Sequence, residues 1–365
     1  MTTKMASSTT QTMSATMEEE IQALMAIWPD VCRDILEDVE SLNIPDVNKW
    51  LKKVLEYNVP TTKKLLGLLS VYVYKALVPK EQLTKDNLRL VRVIGWCVEM
   101  SLTYMLLIDD MLDRSLIRRG RECWYRSHGL MTVNDSFLIQ SCIYHLIKKH
   151  FKGKECYMNL VEMFQYNTFK TAMGQCLDTY TSNINKKPNG LPNLDLYTMT
   201  QCDNIIQLKA EPFTFAVPVQ AAMHFAGIKD PDMFKQSTDI LLDMAHLYQV
   251  QDDFLGTFGN SDTMRKDCTD VEEGKCTWLI ATALQCVTPE QRKILDECYG
   301  VPDLEKVKRV KQLFIDLDIP SVFFKYEEDS YNKLKKRIQQ MSYEPLQNLF
   351  LQLLKKIYRR QDCYI

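Results

Sequence analysis

From about Glu18 onward, apolar positions recur every three to four residues, the period of a helix that buries one stripe. That period predicts helices near 18–40, 46–57, 62–78, 86–113, 134–150, 155–180, 195–205, 206–226, 231–258, 274–286, 289–298, 302–317, 319–340 and 344–359. Pro60, Pro79, Gly120, Gly153, the run from Pro188 to Pro192, Gly227, Pro289, Pro302 and Pro345 fall between these segments or at their first residues. Period-two alternation is scarce, no internal repeat recurs, and no Gly-, Ser- or Pro-rich linker divides the chain. The expected fold class is all-α: a single domain over residues 18–365 around an acidic central cavity. The Ser-, Thr- and Met-rich stretch 1–17 reads as a disordered tail.

Composition narrows the function. Hydrophobic residues make up 46% of the 365, enough for a large core, and only 12 Gly and 13 Pro interrupt it. A formal net charge of −2 lacks the basic excess of a nucleic-acid binder, so no nucleic-acid partner is expected. The apolar run near Leu65–Tyr74 ends at Lys75, short of the roughly 20 residues a bilayer span requires, so no membrane span is expected. Twelve cysteines lie scattered without C-x-x-C pairs or zinc spacing, which reads as free thiols in a reducing compartment. A cytoplasmic location follows as the expectation, because the arginine-free N-terminus makes a poor mitochondrial presequence.

Candidate chemistry begins at Asp109-Asp110-Met111-Leu112-Asp113, with Arg118-Arg119-Gly120 just beyond. Positions i and i+4 share a helix face, so Asp109 and Asp113 point the same way and would repel each other without a cation. A hard divalent ion suits carboxylate oxygen and leaves room for phosphate, and two guanidinium forks can take the outer phosphate oxygens. A second acidic pair, Asp252-Asp253, sits inside the apolar stretch Met244–Phe258, where a solvated face is a poor explanation. Gly174-Gln175-Cys176-Leu177-Asp178 adds a third acid. Lys209, Lys266 and Lys275 are compatible with the same cluster, although alone Lys209 reads as a snorkelling lysine and Lys266 or Lys275 more often as solvated than functional.

Together these segments resemble the isoprenyl diphosphate synthase superfamily, and within it the farnesyl diphosphate synthase branch. The ordered blocks are Asn58-Val59-Pro60, Gly95–Met100, DDMLD-x4-RRG, Cys123-Trp124-Tyr125, GQCLD, YQVQDDFL, Gly274–Trp278, Pro320–Phe323 and Tyr326–Tyr331. The resemblance implies about ten core helices around a deep cavity, a homodimer, a prenyl diphosphate substrate and Mg²⁺, three ions in all. It further implies that Asp109, Asp113, Asp178 and Asp252 hold metal. Arg118, Lys209 and Lys266 would contact the allylic diphosphate, with Gln175 and Arg119 also facing substrate. Tyr104 and Met105, five and four positions before Asp109, would cap the prenyl chain at C15. Asp110 and Asp253 would orient neighbouring groups.

Several positions depart from that pattern. The G-G-K-x-x-R motif that holds isopentenyl diphosphate reads Thr61-Thr62-Lys63-Lys64-Leu65-Leu66, which keeps Lys63 but replaces the arginine by Leu66. Leu102 stands where the family has a glutamine, and Ala210 follows Lys209 in place of threonine. The second motif ends in Gly256 rather than aspartate, and it does not match the N-D-x-x-S-x-x-x-E motif of plant and microbial terpene synthases either. An intact allylic clamp beside a depleted acceptor site predicts an insect-type terpene synthase, a lyase that ionises farnesyl diphosphate and cyclises or quenches the cation. Phe213, Phe215, Tyr248 and Phe254 are the aromatic candidates to shape that cation. The alternatives are a farnesyl or geranyl diphosphate synthase, kept open by Lys63, Arg119, Lys275 and the basic Tyr358-Arg359-Arg360 end, and a non-catalytic helical partner subunit.

Overall fold

A computed structural model describes residues 17–61 and 64–360, apart from the side chains of Asp38 and Asp262. The chain runs through α1 (17–26), α2 (Trp28–Ser41), α3 (Pro45–Asn58), α4 (Leu65–Leu77), α5 (Lys85–Asp113), α6 (Trp124–His128), α7 (Met131–Phe151) and α8 (Tyr157–Thr179). It continues through α9 (Met199–Ile205), α10 (Val217–Phe225), α11 (Pro231–Phe258), α12 (Ser261–Met264), α13 (Asp270–Glu273), α14 (Trp278–Ala283), α15 (Pro289–Cys298), α16 (Leu304–Asp316), α17 (Ile319–Gln339) and α18 (Glu344–Ile357). The all-α expectation holds. The two longest helices carry the two acidic motifs. The Thr84 hydroxyl caps α5 by accepting from the Asn87 amide, and Asp230 caps α11 just before Pro231.

α5 is packed between α4, α7 and α10, and its middle turns from Val93 to Ser101 are buried. Of the described helices, only α5 is apolar and long enough to cross a membrane, yet 72% of its most apolar window is buried inside the protein. One hydrophobic cluster fills the space among α1–α5, α7, α8, α10, the first half of α11 and α18. A second joins residues 194–206 and Val250 to the segment from Val271 to Phe323. α11 therefore lies in both clusters and carries Asp252 at the junction.

The predicted helix 18–40 is two helices that meet at Ile27, one residue before α2 opens with Pro29 in its first turn. Residue 17, assigned to the tail, begins α1; the rest of that tail and the last five residues lie outside the described residues. Between α9 and α10 the helix widens into π turns, Ile206–Ala210 and Pro212–Ala216. Pro212 and Pro218 cannot donate to the preceding turn, and wider turns accommodate the missing bonds. Gly274 takes φ +71° and ends α13, so the helix predicted from 274 starts only at Trp278, capped by Thr277. An unpredicted two-residue hairpin pairs Ile117–Arg118 (β1) with Arg121–Glu122 (β2). Its loop, Arg119-Gly120, takes φ +57° and +72°, the positive angles that a tight two-residue hairpin requires.

Candidate active site

The sequence motifs converge on one cavity of about 320 Å³, within the size range of small-molecule sites. Its first acidic bank comes from the end of α5 and the end of α8. Asp109 and Asp113 stand one turn apart and face Asp178. Lys209 reaches in from the widened turn and donates to Asp109 Oδ1 at 2.8 Å and Asp178 Oδ2 at 2.5 Å. This approach depends on Gly174, because a Cβ there would lie 2.2 Å from the Lys209 backbone nitrogen. Lys275 makes the matching bridge, donating to Asp113 Oδ1 at 2.5 Å and Asp178 Oδ2 at 3.1 Å. The three carboxylates and two ammonium groups thus alternate in a nearly enclosed cluster.

The second bank lies across the cavity on α11. Lys266 donates to Asp252 Oδ2 at 2.9 Å, and the Arg360 guanidinium, 5% exposed, approaches Asp252 Oδ1 at 3.4 Å. Asp253 is buried and accepts from the Trp278 amide and from Gln249. It lines the cavity as well, but both of its oxygens are taken by these protein donors. Asp270 and Glu273, both from α13, also line the cavity.

The rim joins the two banks. The Gly120 amide donates to the Arg265 carbonyl, and Asp267 accepts from the Leu116 and Ile117 amides. The hairpin and the loop carrying Lys266 are therefore tied together. Arg118 lies against Asp110, donating through Nε at 2.8 Å, with Asp109 at 3.5 Å. Arg119 donates to the Asn58 carbonyl at 3.2 Å and Thr61 Oγ1 at 3.1 Å. Leu66 and Leu102 line the adjoining wall, as their places in the sequence imply. Lys63 lies outside the described residues.

Charge is unevenly satisfied here. Burial pushes the Asp109 carboxyl up, but Lys209, Lys275 and Arg118 together hold it below the usual range. Burial and the neighbouring Asp109 push Asp113 upward. Burial raises Asp253 to about 7, helped by Asp270, and raises Glu273 to about 8, helped by Asp113. Asp270 rises to about 6, burial outweighing Lys266. Lys209 and Lys275 stay charged because the surrounding aspartates override their own burial.

These donors fit Mg²⁺. They are all oxygen, and the lysine ammonium groups already sit where cations would be favoured. Among the described residues no three acids or histidines form a closed metal cage. Mg²⁺ commonly binds one or two carboxylates and completes its shell with water and substrate phosphate, so two separate banks are the suitable arrangement.

Gln175 and Met105 line the cavity, but Tyr104 is not among its lining residues. Tyr104 is buried on α5, with its hydroxyl on Thr168 at 2.8 Å. Phe213 and Tyr248 line the cavity. Phe215 is core, and Phe254 stacks on Phe323 at 4.1 Å in the second hydrophobic cluster, so these two do not shape the cavity. Sequence reasoning left Lys275 open as a solvated lysine and passed over Asp270, Glu273 and the reach of Arg360. For the three residues from 270 to 275 the signal was only the block Asp270–Trp278, which looks like a polar connector until the chain folds back, and for Arg360 only the basic end Tyr358-Arg359-Arg360.

Residues 48–317 match the Polyprenyl synthetase family. The chain is 42% identical to farnesyl pyrophosphate synthase of Nezara viridula, covering 94% of this chain and 84% of that protein. It is 41% identical to the Murgantia histrionica protein of the same name, over 94% and 83%. With the Rattus norvegicus farnesyl pyrophosphate synthase the identity is 40%, over 85% and 87%. Such relatives overturn the expected terpene synthase and lyase: likeness this extensive to named synthases favours the condensing alternative over a reading built on a few altered positions. With an all-α fold, motifs that meet in a shared cavity and an ordered match along most of its length, the chain belongs to the polyprenyl synthetase family.

Proposed function

We propose that this protein is a prenyltransferase, a farnesyl or geranyl diphosphate synthase, which joins isopentenyl diphosphate to an allylic diphosphate. The single observation that carries this reading is the extended identity to farnesyl pyrophosphate synthases. The two acidic banks facing one cavity support it.

In this reading Asp109, Asp113, Asp178 and Asp252 would hold Mg²⁺, three ions in all, for binding the allylic diphosphate. Bound Mg²⁺ supplies positive charge to the departing diphosphate. Lys209 and Lys266 turn from their present carboxylates toward the anion, and Arg118 swings from Asp110 to its outer oxygens. These donors stabilise charge that grows as the allylic C1–O bond breaks, once bound substrate displaces water from the cavity. Arg119 and Lys63 seat the isopentenyl diphosphate so that its double bond faces the allylic C1, where the new carbon–carbon bond forms. Diphosphate leaves with the C1–O electron pair, and loss of a proton to it from the isopentenyl carbon beside the new cationic centre restores a double bond and completes the product. Leu66 and Leu102 make that seat less polar than the family pattern, so weak acceptor binding is expected. Met105 in the wall favours a C15 product over a longer chain.

The assembly is a homodimer in this reading. α8 exposes Tyr166, Phe169 and Met173, and α7 exposes Phe137, a face suited to a second copy of the chain. The test is transfer of labelled isopentenyl diphosphate to dimethylallyl or geranyl diphosphate with Mg²⁺. A labelled C15 diphosphate is the expected product, and no incorporation at millimolar acceptor would refute the assignment.

A further inference from the structure

We propose that Asp270 supplies, from α13, the carboxylate that the second acidic motif lacks at position 256, and that Gly256 is the opening that admits it. The inference deepens the prenyltransferase reading and depends on its metal-bound diphosphate.

Position 256 lies four residues after Asp252, so a carboxylate there would share its helix face. The place is already taken. A Cβ on Gly256 would lie 2.1 Å from Asp270 Oδ2 and 2.6 Å from its Cγ. The Asp270 carboxylate therefore packs directly on the bare Gly256 backbone, on a wall of the cavity that Asp252 also lines. No side chain of any kind fits at 256 while Asp270 holds this position. Glycine costs about 1 kcal/mol in a helix interior, and the close approach gives a physical reason for it here.

The neighbouring acids are already engaged with protein donors. Asp253 is buried and already accepts from the Trp278 amide and Gln249. Glu273 accepts from the Thr269 hydroxyl at 2.5 Å. Among the described residues no group donates a hydrogen bond to the Asp270 carboxylate, although Lys266 and Asp252 are both close enough to affect its charge. An acid in the cavity wall, with free oxygens and a lysine and a carboxylate nearby, is suited to a hard cation shared with a diphosphate. The sequence motif is incomplete, yet the carboxylate set is restored from another element.

The test uses Mn²⁺ as a probe with inorganic diphosphate, read by electron paramagnetic resonance on the full chain, with thermal melting to check folding. Asp270→Asn is expected to bind one fewer Mn²⁺, or to bind it about tenfold or more weakly. Gly256→Asp, which rebuilds the family motif on paper, is expected to weaken Mn²⁺ binding because it evicts Asp270. Combining it with Asp270→Ala should recover affinity relative to Asp270→Ala alone. Asp109→Ala serves as the control that loses metal through the first bank. If that control loses Mn²⁺ while Asp270→Asn binds like the wild type, or if Gly256→Asp binds more tightly, the role of Asp270 is overturned and the enzyme reading survives. If the wild type binds no Mn²⁺ with diphosphate, both are overturned. If Gly256→Asp fails to fold, the decision passes to Asp270→Asn, which is nearly isosteric.

Discussion

The two acidic banks use the same residue types but are compensated differently. In the first, Asp109, Asp113 and Asp178 alternate with Lys209 and Lys275, and each lysine bridges two carboxylates. In the second, Lys266 and the Arg360 edge both address Asp252, Asp253 is spent on the backbone of α14, and the Asp270 carboxylate has no hydrogen bond among the described residues. The first bank is already organised before any ligand arrives. The second leaves the Asp270 carboxylate without a hydrogen-bonded cation among the described residues, and so it gains more from an incoming metal. A rigid anchor opposite a metal-hungry wall suits a leaving group that must be gripped on both sides.

The largest effect should come from cutting the anchor. Asp109→Ala or Asp113→Ala should reduce turnover on the order of a thousandfold, since in the proposed mechanism several kcal/mol of charge stabilisation depend on metal at these carboxylates. Near-normal steady-state rates would mean that metal sits elsewhere. Lys275→Met comes next. It leaves Asp113 without its bridge and Asp178 with only Lys209, at side-chain exposures of 8% and 6%. Breaking such a buried pair should cost about 3 kcal/mol in denaturant melts, while the same change at Lys266 should cost clearly less. Equal losses from both would erase the contrast between the banks.

A smaller effect is expected from the acceptor wall. Leu66→Arg with Leu102→Gln should lower the KM for isopentenyl diphosphate about tenfold or more, because each charge-assisted bond contributes roughly 1.5–3 kcal/mol. The KM for the allylic diphosphate should stay put. If both constants move together, the leucines shape the cavity as a whole rather than one seat.

The mildest prediction concerns pH. Asp253, near 7, and Glu273, near 8, hold protons in the folded protein that they would release when unfolded. The native state therefore binds more protons than the unfolded chain between about pH 4.5 and 8, and stability falls as pH rises through that window. Metal-free protein should melt a few degrees higher at pH 6 than at pH 8. Mg²⁺ with inorganic diphosphate should flatten the slope. A melting temperature that rises with pH would show that these acids are ionised and compensated already.

The sequence revealed much of this, through long-range periodicity and clustered charge. Helices carrying DDMLD and YQVQDDFL could be placed closely because two turns or more of apolar spacing define each one. Asp109, Asp113, Asp178, Lys209, Asp252 and Lys266 all line the expected cavity. The hairpin at Arg118 and Arg119 was invisible because two residues per strand leave no alternation to detect. The π turns follow from where two prolines fall within a packed helix, and Lys275 and Asp270 are brought in by a chain reversal at Gly274 that no local spacing encodes. The error over function had a different source. Leu66 and Leu102 do line the wall, but counting lost donors says nothing about whether those that remain suffice. That balance depends on the whole pocket, where Arg119 is positioned by Thr61, one of the altered residues.

The decisive measurement is a partition ratio. The protein is given Mg²⁺, geranyl diphosphate and saturating isopentenyl diphosphate in one vessel, and elongated C15 diphosphate is counted against terpene hydrocarbon or alcohol. A condensing enzyme yields mainly the elongated diphosphate. Volatile terpene as the main product, undiminished by added isopentenyl diphosphate, would contradict the prenyltransferase assignment.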